Sequence, residues 1–279
     1  AASDVYKRQV LARIGDDPLR LSDLTILVPN RDTAFALRQA FMEQMGGRPG
    51  IMPRIDAPGD IDDGYLSLRL SDNQVLSQAL MDIPPPVTRL ERQLILASEI
   101  MKIPGMASSL QKAVKLGGEL GVFLDELQSN NIQLRDIDRL VPPEFKKQWG
   151  ATAEFLKIIT DVWPKKLQEM GQVDPEEHRN ALIQIQAAHW QMSPPKNPVI
   201  AVGFADTDPS TLSLLSAVIG TPGGAVVLPG LDTGLDDKSW DVLTPVHPQF
   251  AFKKILAAMG TDRKDIRTCL LYTSDAADE

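Results

Sequence analysis

The chain has 279 residues, 43% of them hydrophobic and 24% charged, with a formal net charge of −8. That length suffices for one large domain or two ordinary ones. A single cysteine excludes an internal disulfide framework and a Cys-based zinc site, and no apolar run reaches the roughly 18 residues of a membrane span. The mildly acidic total does not attract nucleic acid by itself, yet a binding groove needs only local basic density.

Both ends read as foreign. AASDVYKRQ (1–9) and CLLYTSDAADE (269–279) can be encoded by the two strands of one short DNA duplex. That duplex resembles the adapter of transposase-based sequencing libraries. Segments of this kind are set aside from fold reasoning, with residue 268 grouped with the trailing one. The leading segment carries Asp4, Lys7 and Arg8, a net +1, and the trailing one Asp275, Asp278 and Glu279, a net −3, so −6 remains between them. Cys269 belongs to the tail, and a cysteine-free Val10–Arg267 agrees with a cytoplasmic location. This natural stretch is expected to be cut from a longer reading frame, with room for catalytic residues beyond it.

The first element is Leu24–Val28, a short apolar run that reads as a buried strand ending at Pro29. Asn30 can cap the next helix, whose apolar face carries Ala34, Leu37, Phe41 and Met45 and which Gly46-Gly47 ends. Arg48–Asp63 is rich in Pro, Gly and Asp and reads as loop, with a short strand at Ile51–Ile55. From Pro84 the texture turns helical, over Thr88–Lys102, Ser108–Gln128, Glu144–Met170 and Asp174–Met192. Pro164 should kink or shorten the third of these, and four helices without strands suggest a bundle. Strand texture returns at Val199–Val202 and Ala225–Leu228, with a helix at Thr211–Ile219 between them. Helices at Asp236–Trp240 and Pro248–Met259 complete the order. The expected fold class is α/β: a parallel sheet domain (10–83 and 197–267) interrupted by a helical insertion (84–196).

Candidate chemistry is sparse. Asp125-Glu126-Leu127-Gln128 has the letters of a helicase DExQ box, which needs a strand end aiming both acids at Mg²⁺ and water. Here Leu116, Leu120, Phe123, Leu124 and Leu127 repeat at helical period, so the two acids are expected on a solvated helix face. No Gly-rich phosphate loop ending in Lys-Ser or Lys-Thr is present. His178, His189 and His247 lack a second ligand at metal spacing, and no serine has a G-x-S-x-G context. Asp232, Asp236 and Asp237 read as Asx turns and a helix cap before a cation site. For nucleic acid the candidates are Asn30, Arg31 and Arg38, at a helix N-terminus that favours phosphate. A second group is Lys253 and Lys254, with Arg263, Lys264 and Arg267 beyond. An ordinary charged surface is the alternative reading of both groups.

The stretches ILVPNRDTAFALRQAF (26–41), GELGVFLDELQSNNIQLRDIDRLVP (118–142), FLKIITDVWPKKLQEMG (155–171), AVVLPGLDTGLDDKSW (225–240) and HPQF (247–250) carry a resemblance. They are similar to the alphaproteobacterial form of the AddB family, the second subunits of bacterial AddAB helicase–nucleases. The resemblance covers nearly all of Val10–Arg267. It implies a superfamily 1 helicase-like, P-loop NTPase-like sheet domain with a helical insertion. VIAVGFADTDPSTLSLL (199–215) stands where working helicases of that superfamily hold a strand ending in DExQDT. Gly203-Phe204 replace the two acids, and only Asp206-Thr207 keep the tail of the pattern, which implies a retired motor. Arg31 matches a family arginine, whereas the commonly basic next position is Asp32. The resemblance further implies an AddA-like partner subunit and DNA. It places Mg²⁺ and the four-cysteine iron–sulfur cluster of the family in a nuclease region expected outside this stretch. No catalytic, cofactor or metal residue is therefore assigned within it.

Overall fold

The computed structural model describes residues 18–45, 51–130, 157–205 and 208–267. The chain divides into two compact units, one of Ala1–Leu66, Ile183–Thr207 and Thr211–Glu279, the other of Ser67–Leu182 and Asp208–Ser210. The sequence places the corresponding crossings at 83 and 196. Two short helices, α2 (Asp63–Arg69) and α3 (Gln74–Met81), occupy the stretch before 83.

Among the described residues the first unit is built on four parallel strands: β1 (Thr25–Leu27), β2 (Arg54–Asp56), β3 (Val199–Val202) and β4 (Ala225–Val227). Their order across the sheet is β2-β1-β3-β4, with Ile26 opposite both Ile55 and Ile200, and Ala201 opposite Val226. Successive side chains enter different cores, as strand geometry requires. Ile26, Val28, Ile200 and Val202 face one cluster, and Leu27, Val199, Ala201 and Val226 the other. Burial on both faces makes such strands read as unbroken apolar runs. β2 starts later than the sequence suggests because Pro53 has no N–H for the ladder. Pairing begins at Arg54, whose N–H reaches the Leu24 carbonyl at 3.0 Å.

Helix α1 (Arg31–Met45) closes the first face with Ala34, Leu37 and Phe41. The expected stop at Gly46-Gly47 lies outside the described residues. The opposite face is closed by Ile183 and Ala187, Leu214 and Leu215, and Phe252 and Ile255. These come from α7 (Pro175–Met192), α8 (Pro209–Ile219) and α10 (Gln249–Ala258), with the short α9 (Asp237–Asp241) before the last.

The second unit is helical among its described residues. Helix α4 (Arg89–Met101) is capped by Thr88, whose hydroxyl accepts the Glu91 N–H at 3.1 Å. Helix α5 (Leu110–Ser129) is capped by Ser109 through the Lys112 N–H at 3.2 Å. Leu96 and Ile100 of α4 pack with Leu120 and Leu124 of α5, and with Ile159 and Trp163. Gly117 makes the approach possible, since a Cβ there would stand 2.7 Å from the Gln93 carbonyl oxygen. The third expected helix is interrupted where Pro164 foretells it. A π-turn over Ile158–Val162 precedes α6 (Trp163–Met170), and Pro164, without an N–H, sits in the first turn of α6. Residues 144–156 of that expected helix lie outside the described residues. No helix among the described residues is long and apolar enough to cross a membrane.

Candidate functional site

Open parallel sheets place their working surface at the carboxyl ends of the strands, where the chain departs in opposite directions from two neighbours. Here those neighbours are β1 and β3. The chain leaves β1 through α1 to reach β2 on one side, and leaves β3 through α8 to reach β4 on the other. The loops that diverge are Val28-Pro29-Asn30 and Gly203-Phe204-Ala205.

Asn30 caps α1 as its sequence position predicts. Its side-chain oxygen accepts the Thr33 N–H at 2.9 Å and the Thr33 hydroxyl at 3.0 Å, which uses one of the N–H groups a phosphate would seek. Arg31 is 78% exposed and donates through Nε to Asp60 Oδ1 at 2.5 Å. Asp60 is held in turn by the Ala57 N–H at 3.2 Å on its other oxygen. Arg38 donates through Nη2 to the Ile55 carbonyl, which ties α1 to β2. Arg54 pairs with Asp56 and lies 4.5 Å from the centroid of the Tyr65 ring. The structure thus gathers Asn30, Arg31 and Arg38 on one helix, with Asp32 and Asp60 tempering the positive charge.

The end of β3 is apolar. Gly203 has φ +81° and gives its N–H to the Val227 carbonyl at 3.3 Å. Phe204 is 1% exposed within the second core cluster. Neither side chain offers a carboxylate to Mg²⁺ or to a nucleophilic water, the groups a strand-end metal–nucleotide site uses. Asp206-Thr207 lie outside the described residues.

Lys253 and Lys254 belong to α10, on the other face of the sheet from α1, so the structure does not unite the two basic groups. Lys253 Nζ donates to the Trp240 and Asp241 carbonyls at 3.0 and 2.8 Å, closing the C-terminus of α9. Lys254 lies 5.6 Å from the Phe250 ring centroid. Arg263 stacks 4.8 Å from the Trp240 centroid and shares Asp237 with Lys264, at 3.0 and 2.8 Å. Lys264 first, and Arg263 with it, holds the Asp237 carboxyl below the usual range. Asp232 Oδ1 accepts the Gly234 and Leu235 N–H groups in an Asx turn, and Asp236 caps α9 through Ser239. Turn and cap are the roles the sequence assigns them. Among the described residues no three His, Cys, Asp or Glu side chains converge as metal ligands.

The expectation for the DExQ-like stretch needs correction in part. Glu126 is exposed, but Asp125 is only 27% exposed and grips Arg92 with both oxygens, at 2.6 and 3.1 Å. Arg92 also donates to the fully buried Asp174 at 2.7 Å, and Trp163 Nε1 reaches the second Asp174 oxygen at 3.0 Å. Burial pushes the Asp174 carboxyl up, against the pull of Arg92 and Trp163. Phe123, expected in the bundle, is exposed instead. The signal for this cluster was Arg92 itself, a charge at the helical spacing of Leu96 and Ile100. In comparisons with known proteins, the sequence matches no family model and no curated protein.

Proposed function

We propose that the chain is the catalytically inactive, helicase-like N-terminal part of an AddB-like subunit of a double-strand-break repair helicase–nuclease. In this reading it serves as a cytoplasmic scaffold and handles single-stranded DNA beside an AddA-like partner. The observation that carries the reading is the end of β3. On this reading the four-strand parallel sheet has Gly203 and a buried Phe204 at the position where a working motor needs acids. What remains usable at the strand ends is α1, with Asn30 at its start and Arg31 and Arg38 along it. Backbone N–H groups, helix dipole and guanidinium groups suit the phosphates of a single strand without reading its bases.

The test is single-strand binding by the 279-residue chain as salt is varied. Arg31→Ala and Arg38→Ala should each weaken binding equally for different base compositions. Each should also lower the slope of log K against log salt by about 0.7 per lost phosphate contact. Wild-type affinity and slope in both variants at low salt remove α1 as a DNA contact. The competing reading, an α/β scaffold that binds only protein, draws on Asp32 and Asp60 beside Arg31, and it requires no salt-dependent DNA affinity.

A further inference from the structure

We propose that Phe35 is a base-stacking residue, with a single strand running along the exposed face of α1, its phosphates on Arg31 and Arg38. This rests on the function proposed above and says how the same surface would hold its ligand. Phe35 is 66% exposed, although Ala34, Leu37 and Phe41 of the same helix are buried against the sheet. Met42, 55% exposed, lies seven residues on, about 20° around the helix from Phe35. Arg31 and Arg38, four residues before and three after Phe35, flank this apolar stripe on one side. Asp32 and Glu43 flank it on the other, roughly 60–80° from Phe35 around the helix.

The face is therefore cationic along one edge, apolar in the middle and acidic along the other. A polymer that is anionic on one side and flat and apolar on the other matches that order. Phosphates meet the arginine edge, bases lie over Phe35 and Met42, and the acidic edge rejects a second run of phosphates. Stacking on an aromatic ring is open to every base, so this contact gives affinity without sequence preference. Among the described residues Arg31 is held only through Nε, by Asp60, which leaves its two terminal nitrogens for a phosphate.

The experiment compares binding of a short oligothymidylate with that of an abasic oligonucleotide of equal length, by fluorescence anisotropy at low salt. Phe35→Ala should weaken oligothymidylate binding about tenfold and change abasic binding by less than about twofold. Phe35→Trp should restore the affinity, with its new fluorescence quenched on binding. Arg31→Ala should weaken both ligands alike. If Arg31→Ala weakens both but Phe35→Ala spares both, or lowers both equally, stacking is overturned while the DNA surface stands. If Arg31→Ala and Arg38→Ala both leave binding of both oligonucleotides unchanged, or neither oligonucleotide binds, the underlying function and this inference fall together. Circular dichroism confirms folding, since Phe35 contributes to no core cluster.

Discussion

Arg92→Met removes the only cation described beside Asp174. The arginine side chain is 5% exposed and that of Asp174 0%. Loss of the guanidinium leaves Asp174 with Trp163 Nε1 as its side-chain donor. Breaking a buried ion pair from one side costs about 3–5 kcal/mol, a large share of a domain stability of about 5–15 kcal/mol. Asp125, partly exposed, can rehydrate and adds little. A second change, Asp174→Asn, removes the stranded charge and should recover most of the loss. The pH dependence follows in sign. Burial already raises the Asp174 carboxyl, and without Arg92 it rises further, above its unfolded value. The folded variant then binds more protons than the unfolded chain, so its stability is highest in acid and is lost as pH rises through the folded value. The deficit relative to wild type should therefore shrink as pH is lowered from 7 toward the unfolded aspartate value of about 4, as read by urea unfolding followed by far-ultraviolet circular dichroism. A cost under about 1 kcal/mol at pH 7, or one that Asp174→Asn fails to relieve, refutes the idea that the pair is an obligate unit.

Two further outcomes are expected beyond the binding experiments above. Gly117→Ala places a Cβ 2.7 Å from the Gln93 carbonyl oxygen and 3.0 Å from the Ala97 nitrogen, both backbone. Overpacking of about 1–3 kcal/mol should exceed the roughly 0.5–1 kcal/mol gained from alanine in a helix. Gly118→Ala, which meets only the Gln93 side chain, should show no comparable loss in thermal unfolding. Asp237 should titrate below an ordinary aspartate in a carboxyl-detected NMR experiment, because Lys264 and then Arg263 favour its charge. Its contribution to stability is complete above the unfolded aspartate value of about 4 and fades as pH falls through the depressed folded value. Lys264→Ala should move that titration upward, and an unmoved value contradicts the assignment.

The sheet was largely legible in the sequence. β1, β3 and β4 are short apolar runs that pack into a core on each face of the sheet, and such runs stand out from any background. Asn30 announced the start of α1 through its capping chemistry. Pro164 announced the break before α6. Helices α2 and α3 were not legible, because each is short and buries little: Leu66 in one, Leu76 and Leu80 in the other. The tie between Arg92 and Asp174 spans 82 residues, and no local pattern points across that distance. Lys253 looked like a surface cation, yet the α9 carbonyls that engage it come from a turn of structure twelve and thirteen residues earlier. Phe35 was passed over because an aromatic beside an apolar face looks like part of it until burial separates the two.

The turn after β3 also bears on which mutational routes are open to this chain. An aspartate at position 203 would have to adopt the left-handed backbone that glycine takes at φ +81°. A glutamate at 204 would enter an apolar cluster among Leu214, Leu215 and Ile255, where none of those neighbours can pair with its charge. Each acid alone is a loss, and neither prepares the ground for the other. Acidic chemistry at this strand end cannot be introduced one residue at a time; the turn and the packing beneath it would have to change first.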